Sequence, residues 1–316
     1  MDYRDGRFAA LDIGTVTCRM LVADVKDGAV TEVDKEYRIT DLGVGVDATG
    51  RLQEAAMERV MAAVDDYLAV LARLDTPEHP VRGLIAMATS ASRDADNAAE
   101  FVALLAERGV ILTVIPGERE AALTFAGASS DFPGERLLVV DIGGGSTELV
   151  AGRAGESPAA SHSFNVGCRR VTERFFHDDP PTPDQIAAAR QWIRDEMAGY
   201  FENLTAKGFS LDRLVAVAGT ATSVVSIRES MEVYDSSRVH KALVTLDQLR
   251  AIEGRLGAEP VGVRRETVGL DPKRAGVIVA GFVILEEVMA LAGVREYTVS
   301  ESDILKGMIL EAAREV

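Results

Sequence analysis

The chain has 316 residues, of which 47% are hydrophobic and 27% charged, and it carries a net charge of −16. That length is enough for two ordinary domains of about 150 residues, each with its own core. The acid excess excludes a general nucleic-acid surface, which would be basic. Cys18 and Cys168, far apart and without CxxC spacing, exclude a disulfide framework or a zinc site. The polar stretch 1–7 has no signal-peptide core. The longest apolar run, 275–285, meets Glu286 and Glu287 too soon to span a membrane. The expectation is a cytoplasmic protein with no membrane or nucleic-acid partner.

In chain order, 8–24 reads as an apolar strand, a turn at Asp12-Ile-Gly14, and a second apolar strand. Residues 31–40 read as a third strand, 42–46 as a loop, and 54–74 as a helix with apolar residues at helical spacing. The strand 81–87 feeds a hydroxyl-rich loop, 88–97, that contains Arg93; helix 94–108 and strand 110–115 follow. At Pro116-Gly-Glu-Arg-Glu-Ala121 the chain turns into a helix running to about Gly127, with Glu118 and Glu120 in its first turn. Acids are favoured at a helix start whatever the function, so these two have a structural explanation as well as a chemical one.

The stretch 137–150 carries the clearest chemistry. Leu137 to Val140 form a buried strand that delivers Asp141 to a turn at Gly143, Gly144 and Gly145, and Leu149 and Val150 start the next strand. Three residues without Cβ let backbone N–H groups close on an anion. Asp141 and Glu148 flank that turn and would repel phosphate unless a hard cation such as Mg²⁺ lay between them. A plain glycine hairpin is the competing reading. Asp12, Ile13, Gly14 and Thr17 align with Asp141, Ile142, Gly143 and Ser146, 129 residues on, which points to duplicated halves.

Beyond this turn, 158–166 reads as a strand, 171–176 as a helix start, and 184–204 as a long amphipathic helix after a proline break. The strand 211–218 meets Gly219 and Thr220, where a helix begins and free N–H groups favour an anion. Residues 234–245 read as a loop, 246–256 as a helix, 275–291 as an apolar helix, 294–299 as a strand, and 301–314 as a terminal helix returning to the first domain. Arg169, Arg170, Arg264, Arg265, Lys273 and Arg274 are candidates for one basic track. The alternation of strands and helices is that of an α/β protein.

Together these residues resemble the actin-like ATPase superfamily and, within it, the exopolyphosphatase and guanosine pentaphosphate phosphohydrolase (Ppx/GppA) family. The pieces that carry the resemblance are Asp141-Ile-Gly-Gly-Gly-Ser-Thr-Glu-Leu149, Ala88-Thr-Ser-Ala-Ser-Arg93 with Asn97, Gly117-Glu-Arg-Glu-Ala121, Gly167-Cys-Arg-Arg-Val-Thr-Glu173, and Arg274-Ala275. The resemblance implies two actin-like (ribonuclease H-like) α/β domains with mixed sheets flanked by helices and an active site in the cleft between them. Residues 1–120 with 302–316 would form the first domain, and 121–301 the second. It implies a hydrolase that releases terminal orthophosphate from inorganic polyphosphate or pppGpp with Mg²⁺ or another divalent cation, and a possible homodimer.

The resemblance also distributes roles. The catalytic glutamate falls on Glu120, which would deprotonate water, and a second important acid on Glu148. Asp141 and Glu148 would hold the metal. The phosphate would be bound by Gly143, Gly144, Gly145, Ser146 and Arg93, by Asp12, Gly14, Thr15 and Thr17 of the first hairpin, and by Gly219 and Thr220. Val16 and Pro116 depart from the family pattern, which has an asparagine and a serine there. Longer relatives add a helical C-terminal region, so shorter chains or a nucleotide are the expected substrates. Two alternatives accompany this reading: an ATP-dependent kinase of the same superfold, and a non-catalytic sensor of a phosphorylated ligand.

Overall fold

A computed structural model describes residues 3–314. It divides into two compact units, one running up to Gly127 and resuming from Ser302, the other Ala128–Glu301.

In the first unit, β1 (Gly6–Ile13), β2 (Thr17–Lys26) and β3 (Ala29–Ile39) form an antiparallel meander. Helices α1 (Val46–Thr49) and α2 (Glu54–Leu74) lead to β4 (Val81–Ala88), which lies parallel to β1. The helical turn α3 (Ser90–Arg93) and α4 (Ala98–Ala106) precede β5 (Leu112–Val114), parallel to β4, and α5 (Gly117–Ser129) follows. The sheet order is β3-β2-β1-β4-β5.

The second unit repeats this plan. Strands β6 (Arg136–Ile142), β7 (Thr147–Arg153) and β8 (Ala160–Phe164) form a meander, and α6 (Cys168–Phe175) and α7 (Pro183–Ala206) follow. Strand β9 (Arg213–Val217) lies parallel to β6. Then come α8 (Ala218–Arg228), α9 (Ser236–Val239), β10 (Leu243–Thr245), α10 (Leu246–Gly257), α11 (Val261–Arg264), α12 (Ile278–Ala292) and β11 (Glu296–Val299). β11 is parallel to β9 and carries β10 on its free edge, giving the order β10-β11-β9-β6-β7-β8. Apart from β10, the two sheets have the same connectivity.

The last helix, α13 (Ile304–Ala312), belongs to the first unit. Strand alternation explains how that unit is layered. Ala9, Leu11 and Ile13 of β1 pack with Val60 and Val64 of α2 and Phe101 of α4. Phe8 and Ala10 point to the other face, onto Leu123 of α5 and Ile304, Met308 and Ile309 of α13. Asp12 shares the register of Phe8 and Ala10, so it is delivered to the α5–α13 side.

In the second unit, Thr182 and Gln185 form a capping box that starts α7, with Pro183 in its first turn, and Thr245 and Gln248 do the same for α10. Helix α12 is apolar almost all round and buried along its length, as such a helix must be. Its two acids, Glu286 and Glu287, are held by arginines. Arg190 reaches Glu253 of α10 and Glu286 at 2.5 Å and Glu287 at 3.1 Å. Arg194 binds Glu287 at 2.8 Å and Arg250 binds Glu286 at 2.5 Å.

The stretches 42–46, 88–97 and 234–245, expected as loops, contain or adjoin α1, α3, α9 and β10. Elements of three or four residues are too short to show a hydrophobic period; caps and tertiary contacts set them. No described helix is long and apolar enough to cross a membrane.

Candidate active site

Strand β7 begins at Thr147, two residues earlier than its apolar run implied, and this places Glu148 in the ladder directly opposite Asp141 of β6. Cross-strand partners have Cβ atoms about 4.5–5.5 Å apart on one face of the sheet, so the two carboxylates are neighbours. Both are buried, at 7% and 1% exposure, and the Ser163 hydroxyl donates to Glu148 Oε1 at 2.6 Å.

The turn between them is closed by the Gly143 N–H, which donates to the Ser146 carbonyl at 2.9 Å. The carbonyls of Gly143, Gly144 and Gly145 face α6. The Gly143 carbonyl accepts from the Cys168 N–H at 2.9 Å, and the Gly144 carbonyl from the Arg169 and Arg170 N–H groups at 2.8 and 3.2 Å. The Gly145 carbonyl accepts from Arg170 Nε at 2.9 Å. In a trans peptide the carbonyl and the following N–H point in opposite directions. The N–H groups of Gly144, Gly145 and Ser146 are therefore turned away from α6, and none donates to a protein acceptor among the described residues. Buried N–H groups without a partner are rare; three in succession make an anion-binding nest. Gly167 permits the packing, because a Cβ there would come within 2.3 Å of the Gly144 oxygen. The sequence marks Gly167 and Arg170 as part of a family motif, and Arg170 as a basic-track candidate; their role in holding the turn is revealed only by the chain's return to it.

The first hairpin has the same construction. The Gly14 N–H donates to the Thr17 carbonyl at 2.8 Å. The Thr15 carbonyl accepts from the Gly43 N–H at 2.9 Å, and the Val16 carbonyl from the Thr40 and Asp41 N–H groups at 2.9 and 3.0 Å. The peptide N–H groups of Val16 and Thr17 point the other way. The difference lies in the cross-strand partner, since Asp12 faces Arg19. Arg19 donates from Nη2 and Nε to Asp12 Oδ2 at 2.6 and 3.1 Å, and from Nη1 to Asp303, whose Oδ1 caps α13. Burial pushes the Asp12 carboxyl above its ordinary range, while Arg19 pulls it down. A cation at the head of the apolar run of β2 is the signal for Arg19.

Arg93 closes α3, its backbone N–H bonded to the Thr89 carbonyl at 3.0 Å. Its Nη1 donates to the Ile115 carbonyl at 3.0 Å and to Glu120 Oε2 at 3.3 Å. Glu120 sits in the first turn of α5, where its N–H donates to the Pro116 carbonyl at 3.1 Å. Its neighbour Arg119 is drawn off to Glu311 of α13. Asn97 is used structurally, since its carboxamide accepts from the Leu52 N–H at 2.8 Å and donates to the Leu52 carbonyl at 3.0 Å.

At the start of α8, Ala218 has φ 62°, unusual for a residue with a Cβ. Gly219 lies under the Arg274 guanidinium, whose Nη1 would be 1.8 Å from a Cβ there. Thr220 is buried, filling the space beside Gly281 of α12. Of the six residues expected to form a basic track, one is withdrawn from the surface. Arg264 is internal, bound to Asp179 at 2.9 Å and to the Glu259 and Ala275 carbonyls, and burial lowers its pKa. Arg170 is spent partly on the glycine turn.

No group of three or more His, Cys, Asp or Glu residues among the described ones is placed to hold a metal. A pair of buried carboxylates beside a nest of N–H donors suits a hard cation that keeps several waters and shares the oxygens of a phosphate, as Mg²⁺ does. Asp141 and Glu148 would hold it.

The sequence pattern of the Ppx/GppA phosphatase family matches residues 21–315. The chain is 37% identical over 324 residues to Exopolyphosphatase 2 of Mycobacterium tuberculosis, covering 97% of this chain and 98% of that one. Among solved structures, an exopolyphosphatase-like protein superposes with a TM-score of 0.90 at 32% identity, covering 98% of each chain. The Aquifex aeolicus member of the Ppx/GppA family superposes with a TM-score of 0.80 at 28% identity, over 98% of this chain and 97% of that one.

Proposed function

Since the chain belongs to the Ppx/GppA phosphatase family, we propose that it hydrolyses terminal phosphoanhydride bonds, releasing orthophosphate from inorganic polyphosphate, with pppGpp as a second substrate of the same chemistry. The observation that carries this reading is the run of three unpartnered N–H groups at Gly144, Gly145 and Ser146 beside the facing carboxylates of Asp141 and Glu148.

Phosphoryl transfer to water needs an aligned nucleophile and neutralised oxygens more than covalent help. Glu120 takes the proton of the attacking water as general base. In the second unit the N–H groups of 144–146 are donors for phosphate oxygens, and in the first the Arg93 guanidinium offers N–H donors. Gly14, Thr15 and Thr17, with Asp12 fixed by Arg19, provide a second such turn, and Gly219 and Thr220 a helix start. Asp141 and Glu148 would hold Mg²⁺, which would supply positive charge against the charge that develops on the phosphoryl group. The water oxygen becomes part of the released orthophosphate, and the shortened chain leaves as its own phosphate.

Arg264, internal and bound to Asp179, is withdrawn from any cationic surface that would track a long polyanion. Mg²⁺-dependent orthophosphate release should be compared across short polyphosphate, long polyphosphate and pppGpp. Release from the first or the third, abolished by EDTA, is the expected result. ATP consumption with a sugar acceptor and no release from polyphosphate would make the protein a kinase. Ligand-induced thermal stabilisation without release would make it a sensor.

A further inference from the structure

Arg93 was expected to meet phosphate, but one of its amino groups is already committed. Nη1 is shared between the Ile115 carbonyl at 3.0 Å and Glu120 Oε2 at 3.3 Å. Both acceptors flank the start of α5: Ile115 lies just ahead of it and Glu120 in its first turn. The arginine is itself well anchored. Its backbone N–H is bound to Thr89, and the Ile115 N–H is bound to the Ala88 carbonyl at 3.0 Å. The Glu120 side chain is 11% exposed and that of Arg93 24%, so the ion pair is shielded enough to orient a carboxylate. Nε and Nη2 of Arg93 have no protein acceptor among the described residues, and they remain for an anion.

We propose that Arg93 is a positioning residue for Glu120: one amino group fixes Oε2 and with it the plane of the base, while the rest of the guanidinium takes the phosphate. Arg93 thus couples phosphate occupancy to the orientation of the base. This rests on the hydrolase reading and assigns Arg93 an effect on kcat that acts through Glu120, which a plain phosphate clamp would lack. The charged groups flanking Glu120 on α5 are Glu118, exposed in the same turn, and Arg119, paired with Glu311. Arg93 is the cation of α3 that meets it.

The test uses R93M, R93K, E120Q and the R93M/E120Q double variant of the full chain. Phosphate release gives kcat and KM, and glutamate labelled with ¹³C at the carboxyl follows Glu120, its signal identified by loss in E120Q. With a positioning role, R93M lowers kcat on the order of tenfold as well as raising KM. The same change in the E120Q background lowers kcat by less than about twofold, because there is no base left to orient. The Glu120 carboxyl titrates at higher pH in R93M and returns in R93K, which keeps the charge. A rise in KM alone, with kcat and the Glu120 titration unmoved, would overturn the proposal and leave Arg93 a phosphate clamp. If the wild type releases no phosphate, the hydrolase reading fails, whereas the carboxyl titration still decides whether Arg93 holds Glu120.

Discussion

Glu148 occupies in the second hairpin the place that Arg19 occupies in the first, each seven residues past the aspartate it faces across the ladder. The hairpins share their turn hydrogen bond and the pinning of their carbonyls, yet one pairs Asp12 with a cation and the other pairs Asp141 with a second acid. Two buried carboxylates side by side need a positive partner. In the first hairpin Arg19 contributes that charge; in the second, Mg²⁺ would contribute it in the proposed reaction. In E148Q the Mg²⁺ concentration for half-maximal phosphate release should rise at least roughly tenfold. R19M should leave that concentration unchanged but destabilise the protein by about 3 kcal/mol in urea titration, because Asp12 and Asp303 lose their shared partner. A Mg²⁺ dependence equal to wild type in E148Q would remove Glu148 from the metal site.

The general-base assignment is tested by E120Q. Glutamine keeps the shape and the hydrogen bond from Arg93 but cannot accept the proton of water. Phosphate release should fall at least about a hundredfold, with the melting temperature within a few degrees of wild type. Near wild-type release would assign the base elsewhere.

Gly167 should tolerate no side chain. A Cβ would meet the Gly144 oxygen at 2.3 Å and two backbone carbons at 2.4 and 2.5 Å, and backbone cannot yield as a flexible side chain can. G167A should cost about 1–3 kcal/mol and, by pushing the glycine turn off α6, raise KM for short polyphosphate more than it lowers kcat. An unchanged KM would dissociate the α6 buttress from phosphate binding.

Stability should depend on pH through the helix layer of the second unit. Burial, with the hydrogen bond to Glu286, raises the Glu253 carboxyl to about 7 from its ordinary 4.5, whereas Glu286 is lowered by its bonds to Glu253, Arg250 and Arg190 despite burial. A raised acid binds its proton more tightly when folded, so its contribution is complete below about 4.5 and is lost as pH rises through about 7. The lowered Glu286 contributes above its ordinary value and loses that as pH falls. The urea midpoint should therefore decline between about pH 5.5 and 8, and E253Q, which holds the neutral form, should flatten that decline. An undiminished decline in E253Q would place its origin in other groups.

Much of the local geometry of the candidate site is legible in the local pattern. The four-residue apolar run before Asp141, the glycine turn and the matching Asp12-Ile-Gly14 turn are local, and a chain delivers strand-end residues in sequence order. Helix α2 was legible to the residue because its apolar spacing runs uninterrupted over Glu54–Leu74. The position of Glu120 in a first helical turn followed from Pro116 and Gly117. What tertiary structure alone decided is what each charge faces. Sequence marked Arg93 and Glu120 separately, 27 residues apart, and only the return of the chain past β5 makes them a pair. Arg264 looked like surface charge until Asp179, 85 positions away, took it inside. The free N–H groups of Gly144, Gly145 and Ser146 depend on α6 arriving to hold the opposite carbonyls. Local backbone preference acts over a few residues, whereas hydrogen-bond partners and desolvation are set by whatever distant segment packs alongside.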